Sequence, residues 1–408
     1  MTVRAMVTGL GVVAPAGVGA EAFWAAARAG HCALGPITRF DAAAYPVRLA
    51  GEVATFDAAA FVPGPVIPQT DRFTHLGLAA AAMALADARA NPADLPEYGS
   101  AVVTGASSGG TEFGQHEIER LWREGPGSVG AYQSIAWFYA ATTGQVSIRH
   151  KLRGPCGVLA TEQAAGLDAL GEARRMLRSG VRLVLAGGTD ASLCPYGLVA
   201  QLSTGLLSAA SDPSAAYLPF SPAAGGYVPG EGGAMMVIER ADDAAARGIA
   251  PYGEIAGYAA TFDPPPGSGR GPGLVRAAML ALRDADVPPS EIDVVFADAM
   301  GAPAWDSAEA AAISAVFGPH GVPVTAPKAG SGRSYAGGAS LDVACALLSI
   351  RAGLIPPTPG GGRPDPRYAI DLVSRQPRKQ RIRAALVLAR GYGGFNAAVV
   401  VRAPSRPE

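Results

Sequence analysis

The sequence has few cysteines, lysines and histidines, and it has no long apolar run. Its cysteines show neither the CxxC spacing of zinc sites nor the density of a disulfide framework; they are Cys32, Cys156, Cys194 and Cys345. We therefore expect free thiols and no metal site. No apolar run reaches the roughly 18 residues that span a bilayer, and MTVRAMVTGLGVV enters a strand pattern without a secretory signal. We expect a cytoplasmic protein.

Charge is scarce as well. Charged residues make up 16% of the 408 residues, and the formal net charge is -1. Because such a chain has no long-range positive field, we expect neither nucleic acid nor an anionic membrane as a partner. Hydrophobic residues make up 49% of the chain, which is enough for one very large core or two fused halves.

The order of apolar and helical segments predicts the fold class. Short runs such as SAVVTGAS and VRLVLAGGTDAS alternate with Ala-rich stretches such as THLGLAAAAMALADARA. This alternation is typical of an α/β fold with a mainly parallel, helix-covered sheet. The strand, turn and helix around GLDALGEARRMLRSG recur around KAGSGRSYAGGASLDVACALL, so we predict duplicated halves at residues 1–250 and 251–408.

One strand-to-helix turn has the sequence pattern of a turn that presents a catalytic nucleophile, but it has no nucleophilic residue. In GPCGVLATEQAAGLDAL, residues 154–170, a short apolar run leads into a helix start, as at the strand-to-helix turns that present catalytic Ser or Cys. The residue at this turn is Gln163. A carboxamide has no ionisable proton and cannot be activated as a thiol or hydroxyl can.

Several stretches, in the same order, resemble the thiolase-fold β-ketoacyl synthases over essentially the whole chain. They are VTGLGVVAPAG, RFDAAAYP, YLPFSPAAGGYVPGEGGAMMVIE and GYGGFNA. The resemblance implies two duplicated halves in αβαβα layers and a site with one Cys and two His residues. On this sequence those three positions fall on Gln163, Met300 and Arg333, whereas the family's motif lysine is matched by Lys328.

The three replacements remove the chemistry of condensation. Acyl transfer requires a thiolate, and decarboxylation of malonate requires neutral imidazole donors near the thioester oxygen. Met300 has no proton to donate and Arg333 is permanently cationic. None of the five histidines lies in either expected segment. Cys156 lies seven residues before Gln163, about 20 Å along an extended strand, so we do not expect it to substitute.

With Gln at the Cys position, ATEQAAGLDAL is similar to the chain-length factors, or ketosynthase β subunits, of type II polyketide synthases. The resemblance implies a non-catalytic subunit that forms a heterodimer with a Cys-bearing ketosynthase α subunit. It would shape the tunnel in which a poly-β-keto chain grows from malonyl-acyl-carrier protein. No cofactor is implied for this chain, because the phosphopantetheine arm belongs to the acyl-carrier protein.

Other interpretations stay open at this point, including whether the chain is an enzyme in its own right. Gln163 either promotes decarboxylation of malonyl-acyl-carrier protein to supply the primer, or its amide satisfies the N–H groups at the helix start. The segment GYGGF either supplies the backbone of the family's oxyanion hole or is retained only because it packs against its neighbours. A third hypothesis is a scaffold that binds acyl-carrier protein through exposed arginines; the candidates are Arg153, Arg174 and Arg175.

The candidate tunnel residues follow from helical spacing and from the resemblance. A helix is predicted from about Glu112, and Thr111, Gly114 and Ile118 fall on one of its faces. The resemblance places this face, together with Leu198, at the end of the tunnel. Thr111 and Leu198 stand where bulkier aromatics are common, which predicts a tunnel no shorter than that of the octaketide class. The alternative is that both side chains repack against the core.

An aromatic run supplies the candidate interface. Trp137, Phe138 and Tyr139 are consecutive in an apolar stretch from Ile135 to Ala141. An exposed run of this kind would be an aggregation risk in a monomer. We therefore predict that it contacts an obligate partner subunit.

Overall fold

The computed structural model describes residues 3–265, 267–360 and 364–404. The strands are β1 Ala5–Ala14, β2 Gly17–Val18, β3 Gly35–Pro36, β4 Leu49–Ala50, β5 Ser100–Gly105, β6 Cys156–Leu159, β7 Leu183–Asp190, β8 Gly232–Arg240, β9 Gly253–Phe262, β10 Val294–Phe296, β11 Pro323–Thr325, β12 Leu354–Ile355, β13 Asp371–Leu372, β14 Arg378–Lys379, β15 Ala384–Gly391 and β16 Phe395–Arg402. The helices are α1 Ala20–Ala29, α2 Arg72–Asp87, α3 Thr111–Glu124, α4 Gln133–Ala136, α5 Ala141–His150, α6 Ala165–Arg178, α7 Pro195–Leu202, α8 Pro213–Ala216, α9 Ala241–Ala246, α10 Gly273–Ala285, α11 Pro303–Phe317 and α12 Tyr335–Ala352.

The two halves have the same strand order. In the first half the order is β6-β5-β7-β8-β1, with parallel pairs on both sides of β5 and antiparallel pairs on both sides of β8. In the second half the order is β11-β10-β15-β16-β9, and the pairs around β10 and β16 repeat that pattern. Of the five strands named in each half, all but one therefore run in the same direction. The predicted duplication and mainly parallel sheet are confirmed.

A short pairing joins the halves. Strands β1 and β9 pair antiparallel, with Met6 opposite Glu254 and Val7 opposite Gly253. The suggested boundary between residues 250 and 251 falls in the segment between α9 and β9. Because the sheet continues across the junction, the division into 1–250 and 251–408 stays a prediction of sequence.

Helices form three layers around the strands. Helix α2 packs on β1, β7 and β8, and α10 packs on β9 and β16. Helices α6 and α12 lie against each other and contact strands of both halves, which makes them the central layer. Every residue of α12 from Tyr335 to Ser349 is buried, in keeping with its small and apolar sequence. The predicted αβαβα layering is confirmed.

The central helices cross so closely that a glycine is required. A Cβ atom added at Gly166 of α6 would lie 2.3 Å from the carbonyl oxygen of Ala336 in α12. Backbone atoms cannot move aside as a flexible side chain can. The crossing fixes α6, which begins two residues after Gln163, so the geometry of the turn around Gln163 depends on it.

No helix among the described residues is long and apolar enough to cross a membrane. Over the same residues, no group of three or more His, Cys, Asp and Glu side chains is arranged to hold a metal ion.

We predict that Gly166→Ala lowers the free energy of unfolding by about 1–3 kcal/mol, because the added methyl overpacks the crossing of α6 and α12. Gly144→Ala in α5 is the matched control. No heavy atom lies within 4 Å of its added Cβ, so it should stabilise the helix by about 0.5–1 kcal/mol. Urea denaturation of both variants measures the difference, and equal effects would contradict the close crossing.

Candidate functional site

The turn around Gln163 has the predicted strand-to-helix form. Strand β6 leads to a 3₁₀ turn, Glu162–Ala164, and α6 follows at Ala165. The Gln163 side chain is fully buried, and its carboxamide oxygen and nitrogen have no hydrogen-bond partner among the described residues. A Cβ added at Gly338 of α12 would lie 3.0 Å from the carboxamide nitrogen, so this side chain faces α12. The interpretation that the amide satisfies helix-start N–H groups is wrong.

Glu162 provides the hydrogen bond at this turn. Its φ angle is 55°, in the left-handed region that non-glycine residues rarely adopt. Its Oε2 atom accepts from the N–H of Gln163 at 2.7 Å and from the N–H of Tyr392 at 3.0 Å. Burial raises the pKa of the Glu162 carboxyl, and the cation of Arg333 opposes that rise. Tyr392 belongs to GYGGF, the turn between β15 and β16, which thus lies beside the 3₁₀ turn.

Arg333 is held in a buried ion pair. Its Nη2 atom lies 3.0 Å from Oδ1 and 3.2 Å from Oδ2 of Asp298, and it also donates to the carbonyl oxygen of Arg390 at 2.7 Å. Both charged side chains are almost completely buried. Burial alone would lower the pKa of Arg333, but the carboxylate of Asp298 raises it. The guanidinium also lies 5.8 Å from the ring centre of Tyr227.

Met300 lies on a loop that buried carboxylates fix in place. Asp306 accepts from the N–H groups of Phe220 and Gly301. Burial raises the pKa of Asp306 to about 6. Glu309 accepts from the N–H groups of two loop residues, Asp298 and Ala299, and burial raises the pKa of Glu309 to about 7. The loop keeps its shape although the thioether of Met300 has no proton to donate.

Lys328 completes this charged cluster. Its Nζ atom donates to the carbonyl oxygen of Asp298 at 3.1 Å and lies 2.5 Å from Oδ2 of Asp342. Both side chains of the Lys328–Asp342 pair are buried. Burial raises the pKa of Asp342 to about 6, against the lowering effect of Lys328. The lysine is therefore a structural counterion here.

A cavity of about 520 Å³ extends from Met300 and Arg333 to α3. Two of the three replaced positions, Met300 and Arg333, line it, whereas Gln163 does not. The side chains and backbone that line it come from residues Ser107, Ser108, Gly110, Thr111, Gly114, Ile118, Gln133, Trp137, Glu162, Ser192, Tyr196, Gly197, Ala200, Gln201, Thr204, Leu206, Tyr227, Met300, Arg333, Tyr335 and Tyr392.

Three of the four predicted tunnel residues line the cavity, and the fourth lies elsewhere. Thr111, Gly114 and Ile118 all lie on α3 and line the cavity. Leu198 is not among the residues that line this cavity, and its predicted place at the end of the tunnel stays a prediction. Its side chain is fully buried in a separate apolar cluster with Ile37 and others. Neighbours of Leu198 on α7 face the cavity instead.

The aromatic run is exposed on the surface. Trp137, Phe138 and Tyr139 are 51%, 41% and 41% exposed. The carbonyl oxygen of Trp137 accepts from the N–H of Gly110 at 3.0 Å, which links the run to the start of α3. The run is thus continuous with the cavity wall. Its predicted contact with a partner stays a prediction at this point.

Other candidate groups lie away from the cavity. Cys156 is exposed at the start of β6, and the five histidines do not line the cavity. Arg174 is buried, in an ion pair with Asp284 and a hydrogen bond to the carbonyl oxygen of Ala256. The prediction that Arg174 is exposed for a carrier protein is therefore wrong. Exposed Arg153 and Arg175 each pair with a nearby glutamate.

Sequence reasoning did not identify Glu162, Asp298 or Tyr227 as parts of the site. One sequence feature could have identified Glu162: it is an acidic residue in an apolar turn, next to the position expected for the nucleophile. Asp298 gave another signal, a charge two residues after the buried strand β10, Val294–Phe296. Neither signal identifies the partner, because Arg333 is 35 residues away from Asp298 and Tyr392 is 230 residues away from Glu162.

Comparison with known proteins gives a consistent result. Residues 4–244 match the model of the β-ketoacyl synthase N-terminal domain, and residues 252–361 match that of its C-terminal domain. The tetracenomycin polyketide synthase ketoacyl synthase beta subunit of Streptomyces glaucescens is 59% identical over 97% of this chain and 98% of its own length. The actinorhodin polyketide putative beta-ketoacyl synthase 2 of Streptomyces coelicolor is 54% identical over 97% of this chain and 98% of its own.

Two solved structures have the same fold over nearly the whole chain. The ishigamide ketosynthase/chain length factor matches with a TM-score of 0.91 at 28% identity, covering 99% of this chain and 100% of that one. The second is a type II polyketide synthase acyl-carrier protein, AntF, in complex with its hexaketide-bound ketosynthase, AntDE. The matched chain gives a TM-score of 0.87 at 26% identity, covering 99% of this chain and 100% of its own.

We predict that Arg333→Met lowers the free energy of unfolding by about 3–5 kcal/mol, because it leaves the buried Asp298 carboxylate without its cation. Arg153→Met is the control, since it breaks only an exposed pair with Glu97 and should cost less than about 1 kcal/mol. Thermal and urea unfolding of both variants test this. Equal losses would show that the buried pair is not stabilising.

Proposed function

The chain belongs to the β-ketoacyl synthase family, among the ketosynthase β subunits or chain-length factors of type II polyketide synthases, and from this premise we propose how it acts. It pairs with a Cys-bearing ketosynthase α subunit, and its cavity forms part of the space in which the poly-β-keto chain grows. The observation that carries the proposal is a ketosynthase fold over nearly the whole chain. Gln163, Met300 and Arg333 stand at the positions that the sequence resemblance matches to the catalytic Cys and His residues.

This site cannot perform the condensation itself. No thiol or imidazole of the described residues lines the cavity, so neither the acyl-enzyme nor a neutral imidazole donor is possible there. Arg333 is engaged by Asp298 and by the carbonyl oxygen of Arg390. Carbon–carbon bond formation therefore requires a second subunit that carries these groups.

The surface supports pairing with such a subunit. The aromatic run Trp137–Tyr139 is half exposed beside the cavity. Strand β6 pairs only with β5 among the described strands, so its outer edge is open to another chain. A structure named as a ketosynthase/chain length factor matches over nearly the whole chain. These features together favour a heterodimer whose interface includes the start of α3.

The partners and location follow from the same proposal. The growing chain and its malonyl units are delivered by an acyl-carrier protein, which carries the phosphopantetheine arm, so this subunit needs no cofactor of its own. One of the matching structures is a ketosynthase in complex with its acyl-carrier protein, which supports this assignment. The cytoplasmic location stays a prediction.

The alternative function, decarboxylation that depends on Gln163, is not supported. The carboxamide packs against α12 and does not line the cavity. A relative that is 59% identical to this chain is named as the β subunit of a polyketide synthase. We therefore do not assign Gln163 a chemical role.

The proposal predicts that only the partner is acylated. The heterodimer and the chain alone are exposed to an acyl thioester and to malonyl-acyl-carrier protein, and the intact mass of each subunit is measured. The ketosynthase α subunit should gain the acyl mass, whereas this chain should not. Acylation of this chain alone, for example at the exposed Cys156, would overturn the proposal.

Chain length should depend on Thr111. The Thr111→Phe variant adds bulk to the cavity wall and should shorten the product by roughly one or two two-carbon units. Thr111→Val keeps the volume and should leave the product unchanged. Leu198→Trp should destabilise the fold through overpacking without shortening the product, because Leu198 does not line the cavity.

Mass spectrometry of products from the reconstituted synthase, with partner and carrier protein, measures these effects. If Thr111→Phe and Thr111→Val give the same product as the original chain, this face of α3 does not set the chain length.

A further inference from the structure

Two backbone N–H groups from distant parts of the chain converge on one oxygen atom. The N–H of Gln163 and the N–H of Tyr392 donate to the same atom, Glu162 Oε2, at 2.7 and 3.0 Å. Two such donors about 2.7–3.1 Å from one oxygen are the geometry that stabilises the oxyanion in acyl transfer. We call these two N–H groups the oxyanion site.

The backbone is shaped so that Glu162 can reach this position. With a φ angle of 55°, Glu162 lies in the left-handed region, and its carboxylate accepts from the N–H of the next residue. A Cβ added at Gly391 would lie 3.1 Å from the same Oε2 atom, so the glycine before Tyr392 allows the close approach. A strained residue of this kind persists only where its surroundings hold it.

We propose that the Glu162 carboxylate is an internal ligand that occupies the oxyanion site and keeps it closed to an acyl thioester. Two features of the site thus prevent acyl transfer. Position 163 lacks a nucleophile, and the place that a thioester carbonyl oxygen would take is already filled. The inference goes beyond the proposed function, because it concerns only atoms within this chain.

A neutral carbonyl oxygen is a poor competitor for this place. Hydrogen bonds from backbone N–H groups to a carboxylate are charge-assisted and about twice as strong as those to a neutral acceptor. The internal carboxylate is also covalently tethered, so it loses no translational freedom on binding. Burial raises the pKa of the Glu162 carboxyl, whereas the cation of Arg333 lowers it and so favours the anion at this position. Together these effects keep the thioester out.

We therefore expect that a nucleophile alone would not restore acyl transfer. In a Gln163→Cys variant, the thiol would lose its proton to solvent and the sulfur would attack the thioester carbonyl carbon. The resulting oxyanion needs both N–H donors before the carbon–sulfur bond to the leaving thiol breaks and that thiol takes up a proton. With Glu162 in place, neither donor is free.

The test compares Gln163→Cys with Glu162→Ala/Gln163→Cys in the full chain. For each, the rate of acylation by an acyl-coenzyme A thioester is divided by the rate of alkylation by iodoacetamide. Alkylation forms no oxyanion, so this ratio corrects for thiol ionisation and access. Both rates are measured by mass spectrometry of the peptide that contains position 163. A cysteine of a co-purifying partner then does not contribute to either rate.

Removal of Glu162 should raise the ratio at least about tenfold, since loss of one oxyanion donor costs about 10²–10³ in rate. Glu162→Gln/Gln163→Cys is the matched control. Its carboxamide oxygen retains the acceptor without the charge, so its ratio should be intermediate. An unchanged ratio in the alanine variant would overturn the proposal, because the oxyanion site would then not be what limits acylation.

A second measurement applies if the double variants fail to fold. In the single variants Glu162→Ala and Glu162→Gln, hydrogen exchange at the Tyr392 amide is compared with that in the original chain. Loss of the acceptor should speed exchange of this amide in the alanine variant, and less so in the glutamine variant. Equal exchange in all three proteins would show that Glu162 does not hold the GYGGF turn.

Discussion

The carboxylate of Asp298 connects the elements on which the site depends. It pairs with Arg333 and accepts from the N–H of Arg390 at 3.0 Å, while the N–H of Asp298 donates to Glu309 on α11. One residue thus connects the end of β10, the turn before α12, the end of β15 and α11. Because an unpaired buried charge is very costly, these elements keep their positions only together. The loop that carries Met300 and the turn that carries Arg333 therefore remain in place without catalytic groups.

This arrangement shows how a ketosynthase fold can lose its chemistry and keep its shape. An active site of this kind needs a thiol and imidazoles whose protons can move, whereas this chain has a methionine, a guanidinium and an amide at those positions. The structural partners are permanent charges and buried carboxylates such as Asp306, which accepts two backbone N–H groups. What is kept is the network that shapes the cavity, and what is lost is the capacity for proton transfer.

Helix α3 relates the cavity to the surface. Its inner face, with Thr111 and Gly114, lines the cavity, and its first turn is connected through Gly110 to the exposed aromatic run at Trp137. A partner that covers this run would therefore also contact the cavity wall. The exposed aromatic run and the cavity wall are thus parts of one continuous surface.

The sequence by itself determined the α/β class and the duplication, because apolar periodicity carries that information. The match of Gln163, Met300 and Arg333 to the family's catalytic positions stays a prediction from resemblance. The sequence also located the face of α3 that lines the cavity. It was wrong about the exposure of Arg174, since a helical residue's burial depends on which elements pack around it. Only the tertiary structure brought Glu162 to the N–H of Tyr392 and Arg333 to Asp298. Contacts between residues so far apart in the chain are set by the packing of whole layers, which no local pattern encodes.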